Sequence, residues 1–475
     1  MKQIVTFTVK CLLALLLCAS TALSAATEET LRFGRFGTVT VYRQSPHPPH
    51  VILFVSGDGG WNQGVVEMAK ELSSLNALVV GVDITYYLKE LRTGSESCSY
   101  PAADFEVLSQ FVQKSLAFPS YVPPVLVGYS SGATLVYATL VQAPPGTFRG
   151  AISLGFCPDL PLTKPLCRGH GLEWTPGPKG KGYSFSPAAT LQTPWVALQG
   201  TIDQVCDPAS TESYVRQVGE SRLVMLPKVG HGFSVERNWL PQLKDAFASL
   251  VDTNIQTQAP APANVAVQDL PLVEVPAHGS SRDTLAVILS GDGGWVSIDR
   301  ELGRLLAERG IPVAGLNSLQ YFWTRRTPDG ASADLERIVR HYLTTWHKEK
   351  AALIGYSLGA DVLPFMVNRL PQDLLSRIHV VALLGPEPTV DFEFHVTDWL
   401  GLMQRSSALP VRPEVEKLKG LNLLCLYGTD EKDSLCPHLD PKVVTVVPLP
   451  GGHHFADNYQ AVADTILHAG IGTTR

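Results

Sequence analysis

Two stretches of the chain decide how it folds: "PVLVGYSSGA", Pro124–Ala133, and "AALIGYSLGA", Ala351–Ala360. Each starts as a short apolar run of the kind that forms a buried strand and ends on small residues that open a helical stretch, "ATLVYATLVQ" in one copy and "ADVLPFMVNRL" in the other. Both contain G-x-S-x-G, at Gly128–Gly132 and at Gly355–Gly359. A strand, a turn too tight for side chains and a helix are the setting in which this pattern is a nucleophile elbow. Ser130 and Ser357 are therefore the candidate nucleophiles. Each hydroxyl is expected at the C-terminal edge of a sheet, beside a helix N-terminus that favours negative charge.

Upstream of each elbow the same landmarks recur in the same order. "VILFV" (Val51–Val55) and "LAVIL" (Leu285–Leu289) read as buried strands, and each runs into the hexapeptide "SGDGGW", at Ser56–Trp61 and Ser290–Trp295. A helical stretch follows, with apolar spacing through Val66, Ala69 and Leu72 in one copy and Leu302, Leu305 and Leu306 in the other. Then come a second strand, "ALVVGVD" or "IPVAGLN", and a second helix face, Phe105, Leu108, Phe111 and Val112 or Leu335, Ile338, Val339, Tyr342 and Trp346. Alternating strands and helices predict a mostly parallel sheet with helices on both faces. Repetition over most of both halves predicts two such domains, at 30–250 and 271–475. The Ala-, Pro- and Gln-rich stretch 251–270 between them has no core-forming period and reads as a linker.

A serine nucleophile needs a base and an orienting acid, which follow it here in the order Ser, acid, His. In the first half "PWVALQG" leads into "TIDQVCDP", and "LPKVGHGF" comes later, making Asp203 and His231 the candidates. In the second half "LNLLCLYG" leads into "TDEKDSLC" and then "LPGGHHF", where His453 matches His231 through G-H-x-F. The acid there is ambiguous. Counting from the strand-ending glycine selects Glu431, preferred because this count holds the strand end fixed; counting back from the cysteine selects Asp433, the second choice, and Asp430 is a third option. The hexapeptide occupies the loop that supplies an oxyanion-hole amide in this architecture, the other amide coming from the residue after the nucleophile. That places the donors at Asp58 and Ser131 in the first half and at Asp292 and Leu358 in the second, each contributing roughly 3–4 kcal/mol to transition-state binding.

Composition sets the remaining bounds. The 475 residues are 45% hydrophobic and 17% charged, with a formal net charge of -6, so no nucleic-acid partner is expected. The opening "MKQIVTFTVKCLLALLLCASTALSAA", residues 1–26, has the lysines, short apolar run and small-residue end of a cleavable export signal. A lipid anchor at Cys18 is disfavoured by the leucines before it. Removal of that segment leaves Cys98, Cys157, Cys167, Cys206, Cys425 and Cys436 in an oxidising compartment, where disulfides are expected. The four in the first half allow three connectivities, whereas Cys425 and Cys436 have only each other. There is no H-E-x-x-H, no zinc spacing of cysteines and no phosphate-loop lysine, so neither a metal nor another cofactor is expected.

The doubled "SGDGGW", the elbow "GYSLGAD", the stretch "LNSLQYFWTRRTP" and the tail "YGTDEKDSLCP" together resemble the AcvB/VirJ family of bacterial virulence proteins, in its two-domain AcvB-like form. The resemblance covers essentially the whole chain after the export signal. It implies two tandem α/β-hydrolase-like domains in a periplasmic protein linked to virulence and type IV secretion, with secretion-system components as partners. It also implies a membrane phospholipid substrate: hydrolysis of aminoacyl-phosphatidylglycerol, notably the lysyl form. Carried onto this chain, the nucleophile is Ser357, with His453 and Glu431 or Asp433. Tyr321, Phe322 and Trp323, followed by Arg325 and Arg326, are then a candidate aromatic wedge and phosphate contact at the membrane surface. Asp292 or Asp361 is a candidate to receive the cationic amino acid. A non-catalytic binding module or chaperone for secretion substrates and a general carboxylesterase or lipase are the competing readings.

Overall fold

The computed structural model describes residues 27–93, 96–251, 267–278, 282–395 and 408–468. The stretch 1–26, read above as an export signal, and most of 251–270, read as a linker, lie outside them. In the first half, strands β1 (Thr27–Phe33), β2 (Gly37–Arg43), β3 (His50–Val55), β4 (Ala77–Val82), β5 (Val125–Tyr129), β6 (Gly150–Leu154), β7 (Trp195–Gly200) and β8 (Ser221–Leu226) form one eight-stranded sheet. Its order is β1-β2-β4-β3-β5-β6-β7-β8. β2 pairs antiparallel with both β1 and β4; from β4 to β8 every pairing is parallel. The second half repeats this in seven strands: β9 (Leu272–Val275), β10 (Thr284–Leu289), β11 (Val313–Leu316), β12 (Lys350–Tyr356), β13 (Ile378–Leu384), β14 (Leu423–Gly428) and β15 (Thr445–Leu449), in the order β9-β11-β10-β12-β13-β14-β15. Here β9 alone runs antiparallel.

The period-two alternation of a strand explains why both faces of each sheet carry helices. In β3, Val51, Leu53 and Val55 point to the face covered by Phe105 and Leu108 of helix α2 (Pro101–Ser115). Ile52 and Phe54 point to the other face, against Val65, Met68 and Leu72 of helix α1 (Gln63–Ser73). The second half repeats the division. Leu285, Val287 and Leu289 pack with Leu335, Ile338 and Val339, while Ala286 and Ile288 pack with Leu302, Leu305 and Leu306.

The aromatic wedge anticipated at Tyr321–Trp323 is not at the surface. Tyr321 and Phe322 are fully buried and Trp323 is 1% exposed. The Tyr321 hydroxyl donates to Asp334 at 2.6 Å. The Trp323 indole donates to the Phe118 carbonyl of the first half at 2.7 Å, stacks on Phe394, lies beneath the Lys114 ammonium and joins the first half's hydrophobic core. Trp323 thereby joins the second half to the core of the first, while Tyr321 and Phe322 pack in the second half's own core. Arg325 is exposed and lies 4.0 Å from Asp391. Among the described residues no helix is long and apolar enough to cross a membrane.

Candidate active site

Both serines sit on elbows. Ser130 has φ 55° and ψ -122°, and Ser357 has φ 52° and ψ -121°, backbone that a side-chain-bearing residue adopts only when its surroundings hold it there. The sheet does the holding: the Ser130 amide donates to the Leu154 carbonyl and the Ser357 amide to that of Leu384, both at 2.9 Å. Helices α3 (Ser131–Gln142) and α4 (Leu358–Val367) begin on the next residue. The closing glycine of each motif lets the helix press onto the neighbouring strand. A Cβ on Gly132 would lie 2.4 Å from the Ser56 carbonyl oxygen, and one on Gly359 would lie 2.1 Å from that of Leu289.

The hexapeptide crosses directly over each nucleophile. A Cβ on Gly57 would meet the Ser130 Cβ at 3.0 Å, and one on Gly291 would meet the Ser357 Cβ at 3.5 Å. Its serine fixes the loop to the next segment: Ser56 Oγ accepts the Ile84 amide at 3.1 Å and Ser290 Oγ accepts that of Ser318 at 2.9 Å. Its tryptophan lies against the backbone of a glycine in the adjacent strand, Gly81 or Gly315. One string therefore both anchors the loop and brings main-chain amides beside the nucleophile. In the first half the side chains of the two expected donor residues are also joined, Ser131 Oγ to Asp58 Oδ1 at 2.6 Å. In the second half, Asp292 and Leu358 line a common cavity.

The first half holds a complete relay. Ser130 Oγ is 2.9 Å from His231 Nε2, and His231 Nδ1 is 2.9 Å from Asp203 Oδ2. The Gln199 side chain also donates to Asp203 Oδ2, and the Val205 and Cys206 amides donate to Oδ1. Burial alone would raise the Asp203 carboxyl, but the His231 ring and the two amides hold it below the usual carboxylate range. Beside it, Ile202 and Val205 are 60% and 67% exposed, an apolar lip at the mouth of the site.

In the second half Glu431 is the acid that meets His453, pairing Oε1 with Nδ1. Its other oxygen accepts the Gly428 amide at 3.0 Å. Neither Asp433 nor Asp430 bonds to the imidazole. Burial pushes the His453 pKa down, but the Glu431 contact, with Asp292 and Glu387 nearby, leaves it raised above the ordinary 6.5. Glu431 is correspondingly held low, its burial outweighed by His453 and the Gly428 amide. Ser357 and His453 line the same cavity of about 1000 Å³, yet no hydrogen bond joins them. The nucleophile–base contact is thus closed at Ser130 and open at Ser357.

Sequence reasoning passed over the tyrosine inside each motif. The Tyr129 hydroxyl donates to the His231 carbonyl at 2.9 Å, and that of Tyr356 reaches the His453 carbonyl at 3.4 Å and His454 Nδ1 at 3.2 Å. The signal was present: G-Y-S occurs in both copies, and the tyrosine ties the base loop to the elbow. The cysteines pair as Cys98–Cys167, Cys157–Cys206 and, as expected, Cys425–Cys436. Cys157–Cys206 braces the loop that carries Asp203.

A parallel sheet flanked by helices, an elbow after its central strand and a histidine backed by a carboxylate define an α/β-hydrolase fold, built twice in one chain. The chain belongs to the family described as bacterial virulence protein (VirJ), whose model matches residues 49–152 and 283–471. The match takes in both hexapeptides and both elbows, but in the first half it stops before Asp203 and His231. No curated protein sequence matches the chain. Among solved structures, an esterase domain from Rhodothermus marinus is 14% identical, with 47% of this chain and 97% of that one covered at a TM-score of 0.32. An α/β serine hydrolase without a lid from Xanthomonas campestris is 21% identical, covering 48% and 94% at 0.31. A putative dienelactone hydrolase from Klebsiella pneumoniae is 13% identical, covering 48% and 98% at 0.34.

Proposed function

We propose that the protein is a periplasmic serine esterase that hydrolyses the aminoacyl ester of aminoacyl-phosphatidylglycerol, the lysyl form in particular, through Ser357. The observation that carries this reading is the cavity beside Ser357. It places an elbow serine, a carboxylate-backed imidazole and the hexapeptide amides around one space large enough for an acyl chain and part of a headgroup. Ser357 Oγ attacks the ester carbonyl while His453 Nε2 takes its proton. The oxyanion faces the amides of Asp292 and Leu358. His453 then protonates the departing glycerol oxygen of phosphatidylglycerol, and water, activated by the same imidazole, releases the amino acid from Ser357. Glu431 keeps the imidazole in the required tautomer and stabilises its charged form. The open Ser357–His453 contact closes as substrate enters. Because the aromatic run is buried, approach to the lipid falls to other surfaces of the protein.

The test is lipid analysis of membranes incubated with purified protein. Lysyl-phosphatidylglycerol should disappear with release of free lysine, and Ser357→Ala should slow this by about 10³-fold or more. Clearance by a variant lacking both Ser130 and Ser357 refutes the reading. The closed triad and exposed apolar lip of the first half favour a second reading, in which Ser130 cleaves small apolar esters. A serine-reactive phosphonate that labels Ser130 and not Ser357 would support it.

A further inference from the structure

The cavity beside Ser357 is not built by the second half alone. Helix α2 of the first half, with the loop through Arg168 and His170, supplies one wall and brings Glu106 among Asp292, Asp299, Asp361 and Glu387. The acids of the second half are peculiar to that copy. Aligned on the shared G-D-G-G-W, G-Y-S-x-G-A and strand-end glycine, Asp299, Asp361 and Glu387 stand where the first half has Val65, Thr134 and Cys157. There, Thr134 donates its hydroxyl to the Cys157 carbonyl at 2.6 Å and Cys157 is tied in a disulfide. An uncharged corner in one copy is an acidic one in the other.

Two of these carboxyls are deeply buried. Asp299 is 2% exposed and its Oδ1 has no hydrogen-bond partner. Asp361 is 5% exposed, and its Oδ1 accepts the Glu387 amide at 2.7 Å. Burial, reinforced by Asp292, pushes Glu106 up to about 8, and burial with neighbouring carboxylates raises Asp299, Asp361 and Glu387 as well. Of the basic groups on the walls, Arg168 pairs with Glu173 at 3.2 Å, His395 lies 3.3 Å from Asp391, and His453 pairs with Glu431. Carboxyls that line one cavity and raise one another in this way are relieved by a positively charged guest.

We propose that Glu106 of the first half, with Asp292, Asp299 and Asp361 of the second, forms a subsite for the ammonium of the acyl group whose ester Ser357 attacks, so that the two halves build one specificity pocket. This rests on the esterase reading. It assigns the first half a specificity-determining residue in the second half's site, whatever Ser130 does.

The full-length chain is given the methyl esters of ε-aminocaproic and caproic acid, which differ only by the ammonium. The ammonium ester is preferred. Glu106→Gln lowers the ratio of the two kcat/KM values roughly tenfold, through KM, and Glu106→Asp restores part of it. An unchanged ratio, or an equal loss on both esters, overturns the proposal. Calorimetry on Ser357→Ala reads the pocket without turnover: the ammonium ester binds, and adding Glu106→Gln weakens that binding roughly tenfold. Ammonium binding that survives Glu106→Gln overturns the proposal, as does calcium binding that requires Glu106 in the absence of any amine binding. If the Ser357→Ala protein binds the amine through Glu106 while the wild type hydrolyses neither ester, the subsite stands and the esterase reading fails.

Discussion

Replacing Glu431 with glutamine changes one atom's chemistry at the point where the second half orients its base. The two carboxylate oxygens of Glu431 accept from two donors, the Gly428 amide at 3.0 Å and His453 Nδ1. Glutamine offers one acceptor. If its oxygen serves His453, its NH2 faces the Gly428 amide, donor against donor; if it flips, the imidazole loses its anchor and its tautomer. The first arrangement costs about 1–3 kcal/mol of stability for a buried unpaired donor. The second costs activity, on the order of 10³–10⁴-fold in kcat, as when the orienting acid of a triad is made neutral. The pH profile carries a second signature. His453 titrates above 6.5 because Glu431 outweighs burial, so the rising limb of kcat/KM in the wild type lies above that value and moves down in the variant. The stability contribution has the matching sign. For His453 it is complete below 6.5 and is lost as pH rises through the raised value; for Glu431 it is present above 4.5 and is lost as pH falls through the lowered one. The variant's deficit in melting temperature is therefore largest between the two. The assay is ester hydrolysis across pH, beside thermal melts and phosphonate labelling, with Asp433→Asn as the control that retains activity. A Glu431→Gln enzyme within tenfold of wild type and with an unmoved pH midpoint would refute the assignment.

Gly359→Ala should destabilise the second half by about 2 kcal/mol or more, since the new Cβ would lie 2.1 Å from the Leu289 carbonyl oxygen; urea titration monitors it, and an unchanged midpoint contradicts the packing described. Trp323→Ala should cost about 3–5 kcal/mol, expressed as loss of coupling between the halves, so that one unfolding transition becomes two in calorimetry. Reducing Cys157–Cys206 should slow phosphonate labelling of Ser130 more than that of Ser357, because the bridge braces only the Asp203 loop; equal slowing counts against this.

The parts of the site that follow from short-range chain geometry were legible. A buried run, a serine between glycines and an apolar helix leave few alternatives, and the elbows stand at Ser130 and Ser357. The choice of Glu431 over Asp433 followed from counting from Gly428. The structure gives the physical reason, since the Glu431 carboxylate caps that glycine's amide and is tied to the strand end, not to Cys436. Tyr321 and Trp323 show the limit. An aromatic run beside arginines has the same composition whether it enters a bilayer or a joint between halves, and only the position of Phe118 decides. Glu106 carries no local signal, because its partners lie far along the chain. Setting the copies against each other would have pointed to the corner it serves, where valine, threonine and cysteine in one become acids in the other.

A wall shared across the two halves also changes what a genetic lesion means. An allele that alters only the cavity-facing helix of the earlier copy could leave every catalytic atom of the later one in place and still redirect which cargo it accepts. The later copy expressed by itself would remain a machine for cutting while losing its gauge, and co-expression of the two as separate polypeptides would restore selectivity only if they found each other again.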